Sequence, residues 1–350
     1  MTPALPRLAA LATAVPPYAL GQAEVARRAR HLFAEAAAGD LDRLMPVFDH
    51  AGIERRYSCV PIDWYEAAHG WSERNTLYLE QATSLLERAA REALARAGMA
   101  PAAVDAVVAV STTGIATPSL DARLIDRLGL RPDVRRLPIF GLGCAGGVIG
   151  LSRAADLARA APGSRVLLLV VELCALAFRK NDVSKSNVVA TALFGDGAAA
   201  AVIACAGEGP ALGAGGEYTW PQSLDIMGWE VAEDGLKAIF SRDIPGLVRR
   251  HMRDVVGAFL APHRLALGDI DRFVCHPGGA KVLSALEEAF RLAEGALAEG
   301  RGVLRDYGNM SAATVLFVLE RVLAAGARGR LLLSALGPGF TAAFQLLEAG

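Results

Sequence analysis

Three polar side chains stand where apolar segments change direction, and their types suit acyl-transfer chemistry. Cys144 lies within Gly141-Leu-Gly-Cys-Ala-Gly-Gly147 and opens an apolar helical stretch. His276 closes a short apolar run just before Pro277-Gly278-Gly279, and Asn309 follows Gly308 at the head of a second apolar helix. They are 132 and 33 residues apart, so only the fold can bring them together. A cysteine at a helix N-terminus feels the positive end of the macrodipole, and a nearby imidazolium would lower its pKa further, giving a nucleophile at neutral pH. Asn and His offer two N–H donors to a carbonyl oxygen that becomes an enolate or oxyanion; one such donor is worth about 3 kcal/mol of transition-state stabilisation. Gly143, Gly146 and Gly147 would let substrate approach the sulfur. Taken singly, each residue has a plainer reading: a small core cysteine, a histidine capping a turn, an N-cap asparagine. Cys59, Cys205 and Cys275 read as core residues.

The elements that must position them form two copies of one plan. Residues 105–130 read strand, loop, helix, and so do residues 271–292, at an offset of 166. The Gly143–Gly146 turn opens a helix to about Ala161 and then the strand Arg165–Val171; Gly308–Ser311 opens a helix to about Ala325 and then the strand Arg330–Ala335. A third pair, Leu193–Gly197 and Leu336–Phe340, reads as matched turns entering strands. Short apolar strands alternating with buried helices imply parallel or mixed sheets covered on both faces. The expected fold is α/β, a layered αβαβα core from two duplicated halves, residues 1–205 with the cysteine and 206–350 with the histidine and asparagine. A pseudo-twofold axis would turn all three junctions toward one point. Thr76–Ala100 reads as a helix, and residues 205–235, rich in Gly and Trp, as loops over the site.

Composition narrows the class. Apolar residues make up 53% of the 350, enough for a large core, and 36 basic against 37 acidic residues argue against a nucleic-acid surface. Only four of the 36 basic residues are lysines: Lys180, Lys185, Lys237 and Lys281. Five dispersed cysteines exclude a zinc ribbon or a C-x-x-C motif and fit a reducing, cytoplasmic compartment. Apolar runs such as Val166–Val171 fall far short of the ~20 residues of a bilayer span, so an integral membrane protein is not expected. Leu8–Val15 could mimic a signal-peptide core, but Pro16-Pro17 follow and it reads as a first strand. No metal, flavin or nicotinamide site is expected.

Seven segments resemble a known family. Gly141–Gly147, Leu193-Phe-Gly-Asp-Gly-Ala-Ala-Ala200, Met227-Gly-Trp-Glu230, Ser241–Gly246, His276–Gly279, Tyr307-Gly-Asn-Met-Ser311 and Gly337-Pro-Gly-Phe340 look like a type III polyketide synthase, the chalcone synthase family of the thiolase superfamily. The resemblance runs from about residue 5 to the C-terminus, with Glu172-Leu-Cys174 similar to its bacterial branch.

The resemblance implies a homodimeric thiolase-like fold and a Cys144-His276-Asn309 triad. It implies Phe194 as a gatekeeper between a CoA tunnel and an inner cavity. Thr112, Thr113, Cys174, Ala177 and Ala238 would line that cavity, and Gly337, Pro338 and Gly339 would shape its floor. Lys281 would meet a CoA phosphate, with Arg55 or Arg56 compensating for Glu54 and His50, which stand where chalcone synthases are basic. Ala177 and Ala238 replace larger residues, which points to fatty acyl-CoA starters, malonyl-CoA extension and alkylpyrone or alkylresorcinol products, with CoA thioesters as substrates and no cofactor. Thr117 replaces a methionine that crosses the dimer interface. The alternatives are a single-condensation enzyme like β-ketoacyl-carrier-protein synthase III, a cysteine hydrolase, or a non-catalytic acyl-binding relative.

Overall fold

A computed structural model describes residues 5–34, 41–241 and 243–350; Arg242 of the Ser241–Gly246 segment lies outside them. Two half-sheets carry the architecture. The first contains β1 (Arg7–Ala14), β2 (Ala106–Val110), β3 (Arg135–Ile139), β4 (Arg165–Leu173) and β5 (Asp196–Ala204), in the order β1-β5-β4-β2-β3. The second contains β6 (Ala211–Thr219), β7 (Arg272–Cys275), β8 (Gly329–Gly337) and β9 (Thr341–Ala349), in the order β6-β9-β8-β7.

The duplication is visible in strand sense as well as order. β2 runs parallel to β4, with Val108 opposite Leu168, and β7 runs parallel to β8, with Val274 opposite Leu333. β4 then pairs antiparallel with β5 and β5 with β1; β8 pairs antiparallel with β9 and β9 with β6. Only β3 lacks a counterpart. A single pairing, Arg7 with Ala211, joins the half-sheets.

The principal helices are α1 (Trp71–Arg96), α2 (Leu120–Leu128), α3 (Gly146–Ala160), α4 (Lys185–Leu193), α5 (Ile244–Leu260), α6 (Ala280–Phe290) and α7 (Thr314–Ala324). α1 and α2 bury Leu85, Leu86 and Leu124 on the outer face of the first half-sheet. α5 and α6 bury Met252, Val256 and Leu286 on the outer face of the second. α3 and α7 lie between the sheets, with Val148, Leu151, Leu316 and Leu319 fully buried. The layers are therefore αβαβα. The apolar faces of α3 and α7 are wide, and the polar residues are confined to one edge, Arg153, Asp156 and Arg159 on α3 and Glu320 and Arg321 on α7.

Two expectations need correction. α1 starts at Trp71, five residues before the anticipated Thr76, because the Gly70 turn precedes a first turn that remains largely exposed. Residues 205–235 are not all loop: β6 lies inside the sheet, and Met227–Ala232 pairs with Gly235–Phe240 in a hairpin. Glycines at 213, 215 and 216 erase the apolar alternation of β6, yet a Cβ at Gly215 would collide with Ser152 and one at Gly216 with Phe259. The strand is glycine-rich because neighbours pack onto its backbone.

Candidate active site

Cys144 and Asn309 occupy equivalent places in the two halves. Cys144 sits in a 3-10 turn, Gly143–Ala145, that runs into α3; Asn309 precedes the turn Ser311–Ala313 that runs into α7. The helix starts converge because small residues allow it: a Cβ on Gly147 would strike the Ala312 carbonyl, and one on Gly146 would press on Val110 and Ala312. The Cys144 sulfur stands 4.0 Å from Asn309 Oδ1. His276 follows β7 directly, and its backbone N–H donates to Ser334 O at 2.8 Å. All three side chains are nearly buried and line one cleft of about 950 Å³.

The Asn309 carboxamide is held in one orientation. Its Oδ1 accepts from Ser311 N at 2.8 Å, and its Nδ2 faces Gly278 O at 3.4 Å, a weak contact that leaves the donor available. Neither ring nitrogen of His276 has a hydrogen-bond partner among the described residues, although both are buried. A buried donor without a partner is costly and needs an explanation; a substrate oxygen arriving in the cleft supplies one.

Electrostatics differ from the low-pKa thiolate expected from sequence. Burial pushes the Cys144 thiol up to about 12, opposed by the hydrogen bond from Ser311 and reinforced by the Glu172 charge. Burial alone pushes His276 down to about 3. Cysteine and imidazole are therefore both neutral near pH 7 in the resting protein, because desolvation outweighs the helix-terminus effect. A neutral imidazole still donates one N–H.

Sequence reasoning missed Glu172, a lone carboxyl in the apolar run of β4. It is fully buried and pushed up to about 7 by burial. Thr112 N donates to its Oε2 at 3.0 Å and Thr113 Oγ1 at 2.8 Å. Gly143 N in turn donates to Thr112 Oγ1 at 3.1 Å, so this carboxyl steadies the loop that carries the nucleophile. Pro338 packs where a Cβ of Gly143 would be, which places the Gly337-Pro338-Gly339 loop against the same turn.

The expected cavity residues do not share one open space. Thr113 and Ala177 border a small recess with Trp71, Arg74 and Asp234. Cys174 and Phe194 border a separate apolar pocket with Val25, Ala29, Leu32 and Phe178. Ala238 is buried beside Phe194, where Trp229 and Phe240 also pack; the ring centres lie 5.8 and 5.7 Å from that of Phe194. Aromatic rings therefore enclose Ala238 on this side.

The basic residues also divide. Lys281 lines the cleft, together with His50, which the resemblance counted as a departure from the basic cluster, and Arg43 and Lys185, to which sequence reasoning gave no role. Arg55 is exposed, over the Tyr57 ring, and does not line the cleft. Arg56 is 2% exposed and turned inward, donating to the Thr191, Ala192 and Phe194 carbonyls. Strand alternation over Arg55–Ser58 sends the two neighbours to opposite sides. Among the described residues, no cluster of His, Cys, Asp or Glu could hold a metal, and no helix is long and apolar enough to cross a membrane.

Comparison with known proteins gives the following matches. The family of chalcone and stilbene synthases matches with its N-terminal domain over residues 6–208 and its C-terminal domain over residues 215–347. The chain is 40% identical to a 1,3,6,8-tetrahydroxynaphthalene synthase of Streptomyces peucetius subsp. caesius over 353 aligned residues, covering 97% of this chain and 92% of that protein. The crystal structure of 1,3,6,8-tetrahydroxynaphthalene synthase from Streptomyces coelicolor A3(2), a bacterial type III polyketide synthase, superposes with a TM-score of 0.93 at 28% identity, covering 98% of this chain and 99% of that one. The structure of CsyB complexed with CoA-SH superposes with a TM-score of 0.89 at 25% identity, covering 99% of this chain and 100% of that one.

Proposed function

The chain belongs to the chalcone and stilbene synthase family and is a type III polyketide synthase, an acyl-transferring enzyme, and on that premise we propose that Cys144, His276 and Asn309 carry its chemistry. The observation that supports this is their convergence on one cleft, with the His276 nitrogens unpartnered. The Cys144 sulfur attacks the carbonyl of an acyl-CoA; its proton passes to His276 and the CoA thiolate leaves with that proton. Malonyl-CoA then enters. His276 N–H and Asn309 Nδ2 donate to its thioester oxygen while the C–C bond to the carboxylate breaks and CO2 departs. The resulting enolate carbon attacks the acyl thioester on Cys144, and the sulfur leaves. Neutral donors suit an oxygen that acquires negative charge only as the reaction proceeds.

CoA enters past Arg43, Lys185 and Lys281, whose cations suit its phosphates, with His50 beside them; a family neighbour has been crystallised with CoA-SH. The two halves, 1–205 and 206–350, act as complementary parts of one site, the first supplying the nucleophile and the second the donors. The enzyme works as a homodimer through the edge of β3, where Leu137 and the nearby Phe140 and Ile115 are exposed apolar residues.

The starter is a medium- or long-chain fatty acyl-CoA and the product an alkylpyrone or alkylresorcinol. The apolar pocket beside Phe194 and Cys174 supports an alkyl tail. A second reading follows from the tetrahydroxynaphthalene synthase relatives and from the aromatic packing around Ala238: assembly from malonyl-CoA alone to a naphthalene. Mass spectrometry of products from dodecanoyl-CoA, p-coumaroyl-CoA and malonyl-CoA alone separates them. Alkyl-substituted products from dodecanoyl-CoA in competition with p-coumaroyl-CoA are expected; a naphthalene from malonyl-CoA alone, with no alkyl product, overturns the fatty-acyl reading.

A further inference from the structure

Arg56 is a buried guanidinium that pairs with no carboxylate among the described residues. Its Nη1 donates to Thr191 O at 2.7 Å and Phe194 O at 3.1 Å; its Nη2 donates to Ala192 O at 2.8 Å and to Gln22 Oε1. The carbonyl acceptors cluster at the C-terminal end of α4, the negative end of that helix, where a cation is favoured. Gln22 Nε2 adds donations to Ala192 O at 3.2 Å and Phe48 O at 3.0 Å. The segment that Arg56 holds leads straight to the site. Asn309 N donates to Leu193 O at 2.8 Å and Gly195 N to Asn309 O at 3.0 Å, so Phe194 and Asn309 form an isolated parallel bridge. A Cβ on Gly195 would strike Tyr307 O and one on Gly308 would crowd Leu193 O, and both positions lie within 3.4 Å of the Arg56 Cβ, so the bridged segments pack directly on the base of that side chain.

We infer that Arg56 is a positioning residue: by gathering the Thr191, Ala192 and Phe194 carbonyls it fixes the Phe194–Asn309 bridge and thereby the carboxamide that receives the enolate oxygen. This rests on the assignment of Asn309 as an oxyanion donor. Arg56 itself touches no substrate; the guanidinium acts through the backbone of its neighbours.

The test measures CO2 release from malonyl-CoA by the full-length enzyme carrying Arg56→Met, Arg56→Lys, Asn309→Ala, or Arg56→Met with Asn309→Ala. Arg56→Met is expected to lower kcat about tenfold or more, with KM and the rate of Cys144 alkylation within about twofold. Arg56→Lys restores part of the loss. In the Asn309→Ala background, Arg56→Met costs less than about twofold, because the group it positions is gone. A general packing defect would give the same loss in both backgrounds, and that result overturns the proposal. Loss in Asn309→Ala with an unaffected Arg56→Met also overturns it, leaving the site assignment intact. Full decarboxylation in Asn309→Ala overturns the site assignment and this proposal with it. Should Arg56→Met not fold, Gln22→Leu removes the side-chain partner of the guanidinium. A kcat loss of about threefold that vanishes in Asn309→Ala supports the proposal, and an unchanged kcat overturns it.

Discussion

The sulfur of Cys144 and Oδ1 of Asn309 face each other at 4.0 Å across 165 residues of chain. That separation is the offset of the internal duplication, so the two are mates across the pseudo-twofold: one half supplies a nucleophile where the other supplies a hydrogen-bonding amide. The thiol and its neighbours are buried and neutral, which makes the ionisation of Cys144 the first measurable consequence.

Iodoacetamide is expected to alkylate Cys144 ahead of Cys59, Cys174 and Cys275, because Cys144 lines the open cleft while those three lie in the core. With the thiol pushed up to about 12, the rate in the resting enzyme should climb about tenfold per pH unit between roughly pH 6 and 9. A plateau already reached at pH 7 would reveal a preformed thiolate–imidazolium pair instead. Cys144→Ala should abolish chain extension while the thermal midpoint stays within a few degrees.

Asn309→Ala should cut malonyl-CoA decarboxylation about 10²-fold or more, the size of one missing oxyanion donor. Ser311 N holds Asn309 Oδ1 at 2.8 Å, so Asn309→Asp keeps that contact and loses the donor. Single-turnover CO2 release should fall by a similar factor in both variants; activity near that of the parent in either would leave Asn309 with a purely structural part.

His276 makes acid destabilising. Its folded pKa of about 3 lies below the ordinary 6.5, so the unfolded chain binds the extra proton between those values. The stability it contributes is present above pH 6.5 and lost as pH falls toward 3, by about 2 kcal/mol between roughly pH 6.5 and 5. Glu172, pushed up to about 7, acts in the opposite sense, its contribution being lost as pH rises from 4.5 through 7. His276→Gln leaves Glu172 in place and isolates the histidine. On going from pH 6.5 to 5 the melting temperature of the parent should drop about 2–3 °C more than that of the variant. Parallel curves would contradict the buried neutral imidazole.

Lys185→Ala and Lys281→Ala should each raise KM for malonyl-CoA about fivefold with little change in kcat, the effect of losing about 1 kcal/mol of partly screened phosphate attraction. The increase should shrink at high salt. Arg55→Ala, outside the cleft, should leave KM unchanged. Steady-state kinetics at two ionic strengths decides between the cleft cations Arg43, Lys185 and Lys281 and the Arg55 surface.

Much of this arrangement was legible in sequence because the duplicated strand–turn–helix units carry a periodic apolar signal. Cys144, His276 and Asn309 each sit at a boundary of that signal, where a polar residue stands out. Arg56 was not legible as a buried residue: Glu54-Arg55-Arg56 looks like a charged surface, and the carbonyls that hold Arg56 lie about 135 residues on. Arg43 and Lys185 come to the cleft from separate segments, so no local pattern marks them. β6 was hidden by glycines that serve its neighbours' packing rather than its own. The neighbours of Ala238 were not legible either, because Trp229 and Phe240 reach Phe194 from the two strands of a hairpin that the glycine-rich stretch concealed.

The tight crossing of Gly147 and Ala312 carries a consequence for divergence. Two copies of one ancestral unit are free to drift apart wherever solvent or a loop absorbs the change, and here they have done so in β3 and in the hairpin 227–240. Where the Ala312 carbonyl leaves no room for a Cβ on residue 147, the obstacle is backbone, and no side chain chosen at 312 removes it. The seam beside the nucleophile is therefore closed to variation on its first side: in a library randomised at 147 and 312, folded enzyme should be recovered with glycine at 147 whatever residue stands at 312, while the outer layers vary freely.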